Sequence, residues 1–275
     1  MYIMPIFIAL VLLSCLPVFS APTSPDPLLE SKVFKYKDKS ALVFLPRNYT
    51  TQKRYPLVVF LYGRGGSLED NNYISPEFAA LRSKLWVGGY IVVVPDYGSD
   101  CWLNAAAEHT VLECLKHSMV AFSVNRDRVF MMGVSMGGGS SLVFTAKHRS
   151  LIAGVCDIMG ITDYTRFSKE SNYTSDIAAA YGGTLADIPD FYRDRSALHH
   201  KKELSKLPVL VIHGENDPVV PISYSEDLSK SLKPTNPAFT FIRVPNIDHS
   251  NAVINGLEEK IVEFFKHKKT KFLKK

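Results

Sequence analysis

A serine flanked by glycines is the residue of this chain best placed to do chemistry. Residues 133–137 read Gly-Val-Ser-Met-Gly, after the strand-like run 128–132 and before 138–147, a helix-like stretch that opens on small residues. Glycines on both sides of Ser135 let the strand and helix backbones pass close together in a strained turn. Such a turn presents the Ser135 hydroxyl at the positive end of a helix, where a negatively charged oxygen is stabilised. Ser135 is therefore the candidate nucleophile.

An aspartate and a histidine follow in the chain order that a serine of this kind uses. The apolar run 207–214 predicts a strand buried on both faces of a parallel sheet, and Asp217 lies just beyond it, before Pro218. The last strand is predicted at 239–245, and His249 lies in the loop that follows. We predict that His249 removes the proton of Ser135 and that Asp217 orients the imidazole.

Other interpretations of these side chains remain open. Asp217 could be an ordinary turn residue, as an aspartate before proline often is. Asp248 is a rival acid, although a residue adjacent to His249 cannot easily reach its Nδ1 atom. His213, at a strand end, is interpreted as a packing residue or as a support for the site. Solvated positions are expected for the remaining histidines: His109, His117, His148, His199, His200 and His267.

Strands and helices alternate along the chain in a way that would place these side chains together. The pattern predicts an α/β fold with a mostly parallel sheet, covered by helices on both faces, and an antiparallel N-terminal hairpin. The hairpin is expected at 33–36 and 41–46, further strands at 55–62, 89–95 and 151–158, and helices at 75–86, 102–122 and 256–268.

Residues 160–203 interrupt this alternation. They are polar, aromatic and rich in expected loops, which is typical of a small insertion that forms a lid over an active site. Phe167, Tyr173 and Tyr181, together with Trp102, are candidates either for the walls of an apolar pocket or for packing within the lid.

Composition indicates one globular domain at 33–269, in a chain of 275 residues with 46% hydrophobic and 21% charged residues. The net charge of +5 is too mild to indicate a nucleic-acid partner. Part of the excess lies in a basic tail, 270–275, at the end of a lysine-rich stretch. This tail is interpreted as a frayed, solvated end, with contact to a membrane or another anionic surface as the alternative.

The first twenty residues have the character of a signal peptide. Residues 1–20 are apolar, carry no charge and end on a sequence suited to cleavage before Ala21, with 21–32 as an extended lead-in. A secreted protein is therefore expected, or a periplasmic one in a bacterium. The usual positive start is missing, which leaves an uncleaved anchor or lipid attachment at Cys15 as alternatives.

Two sequons and the cysteine count bear on the same question. Asn48 and Asn172 begin Asn-X-Thr sequons, which are possible glycosylation sites in a eukaryotic host. Without Cys15, the remaining Cys101, Cys114 and Cys156 allow at most one internal disulfide, or three free thiols. Their spacing matches no metal site.

The motifs together resemble the catalytic domain of the prolyl oligopeptidase-like hydrolases, a branch of the α/β-hydrolase superfamily, from about Arg54 to Phe265. The resemblance is carried by Gly-Arg-Gly-Gly at 63–66, Pro-Asp-Tyr at 95–97, Tyr-Arg-Asp-Arg-Ser-Ala at 192–197, and the segment 206–221. Polyester depolymerases and feruloyl esterases share the glycine-rich loop. The resemblance implies the α/β-hydrolase fold.

Two departures from the peptidases of that group favour ester substrates. Only about thirty residues precede the first strand, so no propeller domain is expected. Arg64 also stands where those peptidases place a tyrosine donor. The oxyanion hole would then use the backbone N–H of Met136 and one from the loop around Arg64. The Arg64 guanidinium is expected either to bind a substrate oxygen or to face solvent.

The resulting expectation is a secreted serine hydrolase that cleaves carboxylic esters through an acyl-enzyme, with no metal or organic cofactor. Its partner would be a small-molecule ester or a short peptide. A serine oligopeptidase or exopeptidase of the prolyl oligopeptidase-like family is the alternative. A non-catalytic binding protein with a hydrolase fold is a further one, although such proteins generally lose a member of the triad.

Overall fold

One eight-stranded sheet organises residues 31–266, the part of the chain that the computed structural model describes. The predicted signal peptide, nearly all of the lead-in and the basic tail lie outside these residues. The strand order is β1-β2-β4-β3-β5-β6-β7-β8. The strands are β1 (Lys32–Tyr36), β2 (Lys39–Phe44), β3 (Tyr55–Leu61), β4 (Ile91–Pro95), β5 (Val124–Val134), β6 (Gly154–Ile158), β7 (Val209–Gly214) and β8 (Phe239–Val244).

The sheet is parallel except at its N-terminal edge, which confirms the predicted α/β-hydrolase fold. Strands β1 and β2 form an antiparallel hairpin, β2 pairs antiparallel to β4, and all other neighbours are parallel. The central strands are continuous apolar runs because helices cover both faces. Every residue of β3, β4, β6 and β7 is buried.

Helices follow most of the strands, and several begin or end at identifiable residues. They are α1 (Ala79–Val87), α2 (Ala105–Ala121), α3 (Met136–Lys147), α4 (Tyr164–Glu170), α5 (Thr174–Tyr181), α6 (Pro189–Asp194), α7 (Lys201–Leu204), α8 (Ser223–Leu232) and α9 (Glu258–Phe264). Helix α2 begins later than predicted because Trp102 and Leu103 have positive φ angles of 48° and 53°. The Asn104 side chain then caps it by accepting from the Ala107 N–H.

The expectation that residues 160–203 are loop-rich was wrong. This segment, between β6 and β7, contains α4 to α7 and a 3₁₀ turn. Asp163 caps α4 by accepting from the N–H groups of Thr165 and Arg166, and Gly182 ends α5 with a φ of 78°. Helices of only one or two turns show little periodicity in a sequence, so their cap residues were the available signal.

The parallel strands all end at one edge of the sheet, where the loops after β3, β4, β5, β7 and β8 meet. This edge is where the predicted site residues converge. Within residues 31–266, the helices are too short or too polar to span a lipid bilayer.

Candidate active site

Ser135 occupies a strained turn between β5 and α3. Its backbone has φ 56° and ψ −120°, a region that side-chain-bearing residues rarely adopt. A Cβ atom on Gly133 would lie 2.2 Å from the Gly137 carbonyl oxygen, and one on Gly137 would lie 2.1 Å from that of Leu61. The glycines are therefore required by backbone contact, as the sequence predicts.

The structure brings the three predicted residues into hydrogen-bond contact. His249 Nε2 lies 2.8 Å from Ser135 Oγ, and His249 Nδ1 lies 2.6 Å from Asp217 Oδ2. Asp248, the rival acid, is exposed. This geometry lets the imidazole take the serine proton on one nitrogen while the carboxylate fixes the tautomer through the other.

Four donors surround the Asp217 carboxylate. Its Oδ1 atom accepts from the N–H groups of Val219 and Val220 at 2.9 and 2.8 Å, and its Oδ2 atom faces both His249 and His213. Burial by itself would raise the pKa of this carboxyl. The hydrogen bonds from the two histidines outweigh that effect and hold the pKa well below its usual range. Asp217 is thus ionised whenever His249 needs a partner.

His213 supports Asp217 from inside the protein. It is fully buried, with Nε2 2.7 Å from the Val220 carbonyl oxygen and 3.2 Å from Asp217 Oδ2. A carbonyl oxygen can only accept, so we assign the proton to Nε2, and Nδ1 then accepts from the Ser225 hydroxyl at 2.7 Å. The supporting role considered from the sequence fits this position.

The loop after β3 passes directly beside Ser135. A Cβ atom on Gly63 would lie 3.6 Å from the Cβ of Ser135. The next residue, Arg64, and the first residue of α3, Met136, both have backbone N–H groups without a hydrogen-bond partner among residues 31–266. The structure therefore leaves both predicted donors of the oxyanion hole free to bind a substrate oxygen.

The guanidinium of Arg64 has partners that the sequence did not indicate. Its Nε atom lies 2.5 Å from Asp100 Oδ1, its Nη2 atom lies 2.9 Å from Asp176 Oδ2, and it stacks over the ring of Tyr173. The side chain is 40% exposed. Arg64 is therefore solvent-exposed, as one of the two expectations had it, and also ion-paired at the mouth of the site. Its contact with substrate stays a prediction.

A cavity of about 230 Å³ opens onto Ser135 and His249. Its apolar wall is formed by Trp102, Met159, Ile161, Phe167, Tyr173, Val219 and Val220. Three of the four aromatic candidates thus line it. The fourth, Tyr181, instead donates a hydrogen bond to the Trp102 carbonyl oxygen and packs against rings within the insertion.

Two asparagines at this cavity were missed by the sequence reasoning. Asn72 accepts a hydrogen bond from the Gly63 N–H, and Asn251 lies two residues beyond His249. Both line the cavity, and their side chains bond to each other. Their separation of 179 positions leaves no local pattern that could have paired them.

The remaining predicted residues lie away from this site or at its margin. Asn48 and Asn172 are exposed, and their glycosylation stays a prediction. Cys101, Cys114 and Cys156 are buried and unpaired in the described part of the chain. Of the histidines expected to be solvated, His109 and His199 are exposed, whereas His117, His148 and His200 are partly buried. His148 is hydrogen-bonded to Glu108 and His200 to the Asp194 carbonyl oxygen, and His267 lies outside the described residues.

Comparison with known proteins places the chain in a family. The BD-FAE family model matches residues 43–232. The protein of Aspergillus terreus named "Probable feruloyl esterase C" is 24% identical over 222 residues, covering 79% of this chain and 69% of the relative. Esterase YjfP of Escherichia coli is 26% identical over 194 residues, covering 66% of this chain and 76% of the relative.

Solved structures share the fold at lower identity. The acylaminoacyl peptidase of Pyrococcus horikoshii superposes with a TM-score of 0.68 and 18% identity, covering 89% of this chain but 42% of that one. A truncated carbohydrate esterase from gut microbiota gives a TM-score of 0.65 and 17% identity, covering 82% of this chain and 90% of that one. The chain therefore spans less than half of the peptidase and most of the esterase. With this fold and these relatives, the chain belongs to the BD-FAE family and is a hydrolase of the esterase or peptidase type.

Proposed function

We propose that this protein hydrolyses carboxylic esters through an acyl-enzyme formed on Ser135. The contact of His249 with both Ser135 and Asp217, at 2.8 and 2.6 Å, carries this proposal. Few arrangements other than a catalytic triad need a serine in a strained turn, an imidazole on its hydroxyl and an ionised carboxylate behind the imidazole.

The reaction follows from these positions. Ser135 Oγ adds to the ester carbonyl carbon while His249 Nε2 takes the hydroxyl proton, and the N–H groups of Met136 and Arg64 bind the resulting oxyanion. The alcohol then leaves with the proton from His249. Water repeats the same steps to release the acid. Loss of one oxyanion donor in such a site typically costs about 3 kcal/mol of activation free energy.

The walls of the site support an aromatic or compact apolar acyl group. Trp102, Phe167 and Tyr173 supply aromatic surface in a cavity of about 230 Å³, which suits a single ring better than a long chain. A second cleft of about 240 Å³ adjoins it and has polar walls that include Asp70, Asn71 and Ser75. We propose that it receives a hydroxyl-bearing alcohol. The names of the feruloyl and carbohydrate esterase relatives agree with this choice.

A peptidase activity is the second candidate, because the peptidase structures match the fold over 89% of this chain. Such an enzyme needs an anchor for a peptide terminus. Asp100 and Asp176 are the acidic side chains nearest to Arg64, and both are already paired with its guanidinium. This pairing favours the ester.

Turnover of matched esters and amides tests the proposal. We expect the wild-type enzyme to hydrolyse methyl ferulate and p-nitrophenyl esters, and Ser135→Ala to lower kcat by at least about 10⁴-fold at unchanged folding. Aminoacyl and dipeptidyl p-nitroanilides should remain intact. Anilide turnover lost in Ser135→Ala would instead establish the peptidase. Ester turnover that survives Ser135→Ala would contradict the assignment of the nucleophile, and a folded wild type inactive on every substrate would favour a binding protein.

We also propose that the protein is exported and loses residues 1–20. The apolar, uncharged character of residues 1–20 supports this proposal. Asn48 and Asn172 are exposed, so both sequons would be accessible for glycosylation after export. Mass spectrometry of protein from its own host should find Ala21 as the first residue. An intact Met1 would contradict it.

A further inference from the structure

We propose that Asn72 and Asn251 form an amide relay that holds the oxyanion loop and the histidine loop in register around Ser135. The inference rests on the proposed function and adds two positioning residues to it. Neither side chain takes part in the chemistry. Each acts through the backbone segment that it holds.

The relay consists of three consecutive hydrogen bonds, which begin at a backbone N–H and continue through the side chains of two loops that lie far apart in the sequence. The Gly63 N–H donates to Asn72 Oδ1 at 2.7 Å, Asn72 Nδ2 donates to Asn251 Oδ1 at 2.9 Å, and Asn251 Nδ2 donates to Ser75 Oγ at 3.1 Å. Gly63 is in the loop that carries the Arg64 N–H, and Asn251 begins the 3₁₀ turn Asn251–Ile254 just after His249.

The direction of every bond in the relay is dictated by its first donor. A backbone N–H can only donate, so Asn72 must turn its oxygen toward Gly63 and its amide nitrogen toward Asn251. Asn251 must then accept with its oxygen and donate onward to Ser75. Each amide is therefore held in a single orientation. Hydroxyl groups in the same places could both donate and accept, and would not fix these orientations.

A rigid support holds the relay in place. Asn72 begins the 3₁₀ turn Asn72–Ile74, which the buried Asn71 caps by accepting from the N–H groups of Tyr73 and Ile74. The Asn71 amide nitrogen bonds in turn to the carbonyl oxygens of Ser67 and Leu68. The Asn72 Cα is thus held by backbone geometry, so its side chain can set the position of Gly63.

The position of Gly63 matters for the transition state. Its Cα lies beside Ser135, and the following N–H must meet an oxyanion that exists only after the nucleophile has attacked. Misplacing a catalytic group by about 1 Å can cost about 100-fold in rate. Losing the relay should therefore lower kcat more than it changes KM, because substrate binding does not depend on the oxyanion contact.

The test combines turnover with a ligand that forms the oxyanion. The phenylethyl trifluoromethyl ketone 1,1,1-trifluoro-4-phenylbutan-2-one adds Ser135 Oγ to its carbonyl carbon, the serine proton passes to His249, and the carbonyl oxygen becomes a stable oxyanion. We expect Asn72→Ala and Asn251→Ala to lower kcat on a p-nitrophenyl ester by about 10- to 100-fold with KM within about threefold. The inhibition constant of the ketone should rise by the factor by which kcat/KM falls. The double variant should lower kcat no further than Asn72→Ala alone, because the two asparagines act through the same chain of hydrogen bonds.

Matched variants separate positioning from general damage. Asn251→Asp keeps the acceptor that Asn72 needs, so it should recover most of the activity lost in Asn251→Ala. Asn255→Ala makes the same change at the exposed end of the same turn and should leave kcat unchanged. Thermal unfolding identifies a variant that fails to fold. If Asn72→Ala fails to fold, the comparison of Asn251→Ala with Asn251→Asp still tests the relay.

Some outcomes would overturn the relay without touching the proposed function. The relay is wrong if Asn251→Ala keeps wild-type kcat and ketone affinity, or if the effects of the two alanine variants simply add. Fluorine NMR of the ketone on wild type and Ser135→Ala reports the adduct independently of any ester. Equal binding to both would reject Ser135 as the nucleophile, and with it the proposed function.

Discussion

Two buried aspartates near Ser135 have opposite surroundings. Asp217 accepts from two backbone N–H groups and faces two histidines, so its pKa is held low. Asp157, on β6, is fully buried beneath the start of α3, and in the described part of the chain its carboxyl oxygens have no partner beyond the nearby backbone N–H of Gly160. Burial raises the pKa of Asp157 from 3.8 to about 8. The Asp217 carboxyl is therefore ionised at neutral pH, whereas the Asp157 carboxyl is protonated below about pH 8.

This difference predicts a pH-dependent gain from Asp157→Asn. A carboxyl whose pKa is raised by folding stabilises the folded state most below its unfolded pKa, and that contribution disappears as the pH rises toward 8. Asparagine has the same shape but cannot ionise. Near pH 4, we expect the variant and the wild type to have the same free energy of unfolding. At pH 8, we expect that of the variant to be higher by about 1–3 kcal/mol. Urea unfolding at the two pH values measures this, and an equal difference at both would contradict it.

At the scale of elements, the junction of β5 and α3 is built on backbone contact. The sequence pattern identified Gly133 and Gly137, but the next turn of α3 is as tightly packed. A Cβ on Gly138 would lie 2.3 Å from Asp157 Oδ1, and one on Gly139 would lie 2.2 Å from the Ile161 carbonyl oxygen. The insertion after β6 therefore begins directly against the helix that carries Ser135.

Gly139→Ala tests this contact against helix propensity. In an exposed helix, replacing glycine by alanine would stabilise the protein by about 1 kcal/mol. Here, however, the new Cβ atom would collide with the backbone of Ile161. We expect a net loss of about 3 kcal/mol in the free energy of unfolding, measured by urea denaturation. Gly183→Ala is the control, because its Cβ would meet only the Ile188 side chain, at 3.3 Å. Similar losses in both variants would show that the close contact does not decide the effect.

At the scale of the whole molecule, Glu108 connects three parts of the fold. It lies on α2, contacts Lys147 and His148 at the end of α3, and pairs with the buried Arg195 of the insertion. Burial would raise the pKa of Glu108, but the hydrogen bonds from His148 and Arg195 lower it to about 2. The cluster thereby connects the insertion to α2 and α3.

Replacing Glu108 by Gln should destabilise the protein and remove part of its acid sensitivity. A carboxyl whose pKa is lowered by folding stabilises the protein above its unfolded pKa of 4.5, and this contribution is lost as the pH falls to about 2. We expect Glu108→Gln to cost about 2 kcal/mol at pH 7, with the difference from wild type shrinking below pH 4.5. Glu113→Gln, on the same helix, should cost less because its lysine partners, Lys37 and Lys116, are exposed. Urea denaturation between pH 3 and 7 measures the loss in the free energy of unfolding for both variants. An equal loss in both would contradict the anchoring role of Glu108.

The sequence by itself determined the features that depend on the order of residues along the chain and on the periodicity of its apolar residues. Apolar runs and glycine spacing identified the strands, the turn at Ser135 and the parallel sheet. Because parallel strands end at one edge, the order of Ser135, Asp217 and His249 was enough to predict that they meet. The start of α2 was less accessible, since it depends on the positive φ angles of Trp102 and Leu103. The helices within residues 160–203 were also missed, since helices of one or two turns show almost no periodicity.

Only the tertiary structure decided which distant side chains become partners. The pairing of Arg64 with Asp100 and Asp176, the support of Asp217 by His213, and the bond between Asn72 and Asn251 join separate loops. No local pattern encodes such pairs, because a polar residue on a loop has the same sequence signature whether it faces water or another loop. The partners are chosen by how the strands order themselves in the sheet, which brings the ends of non-consecutive elements within hydrogen-bond distance.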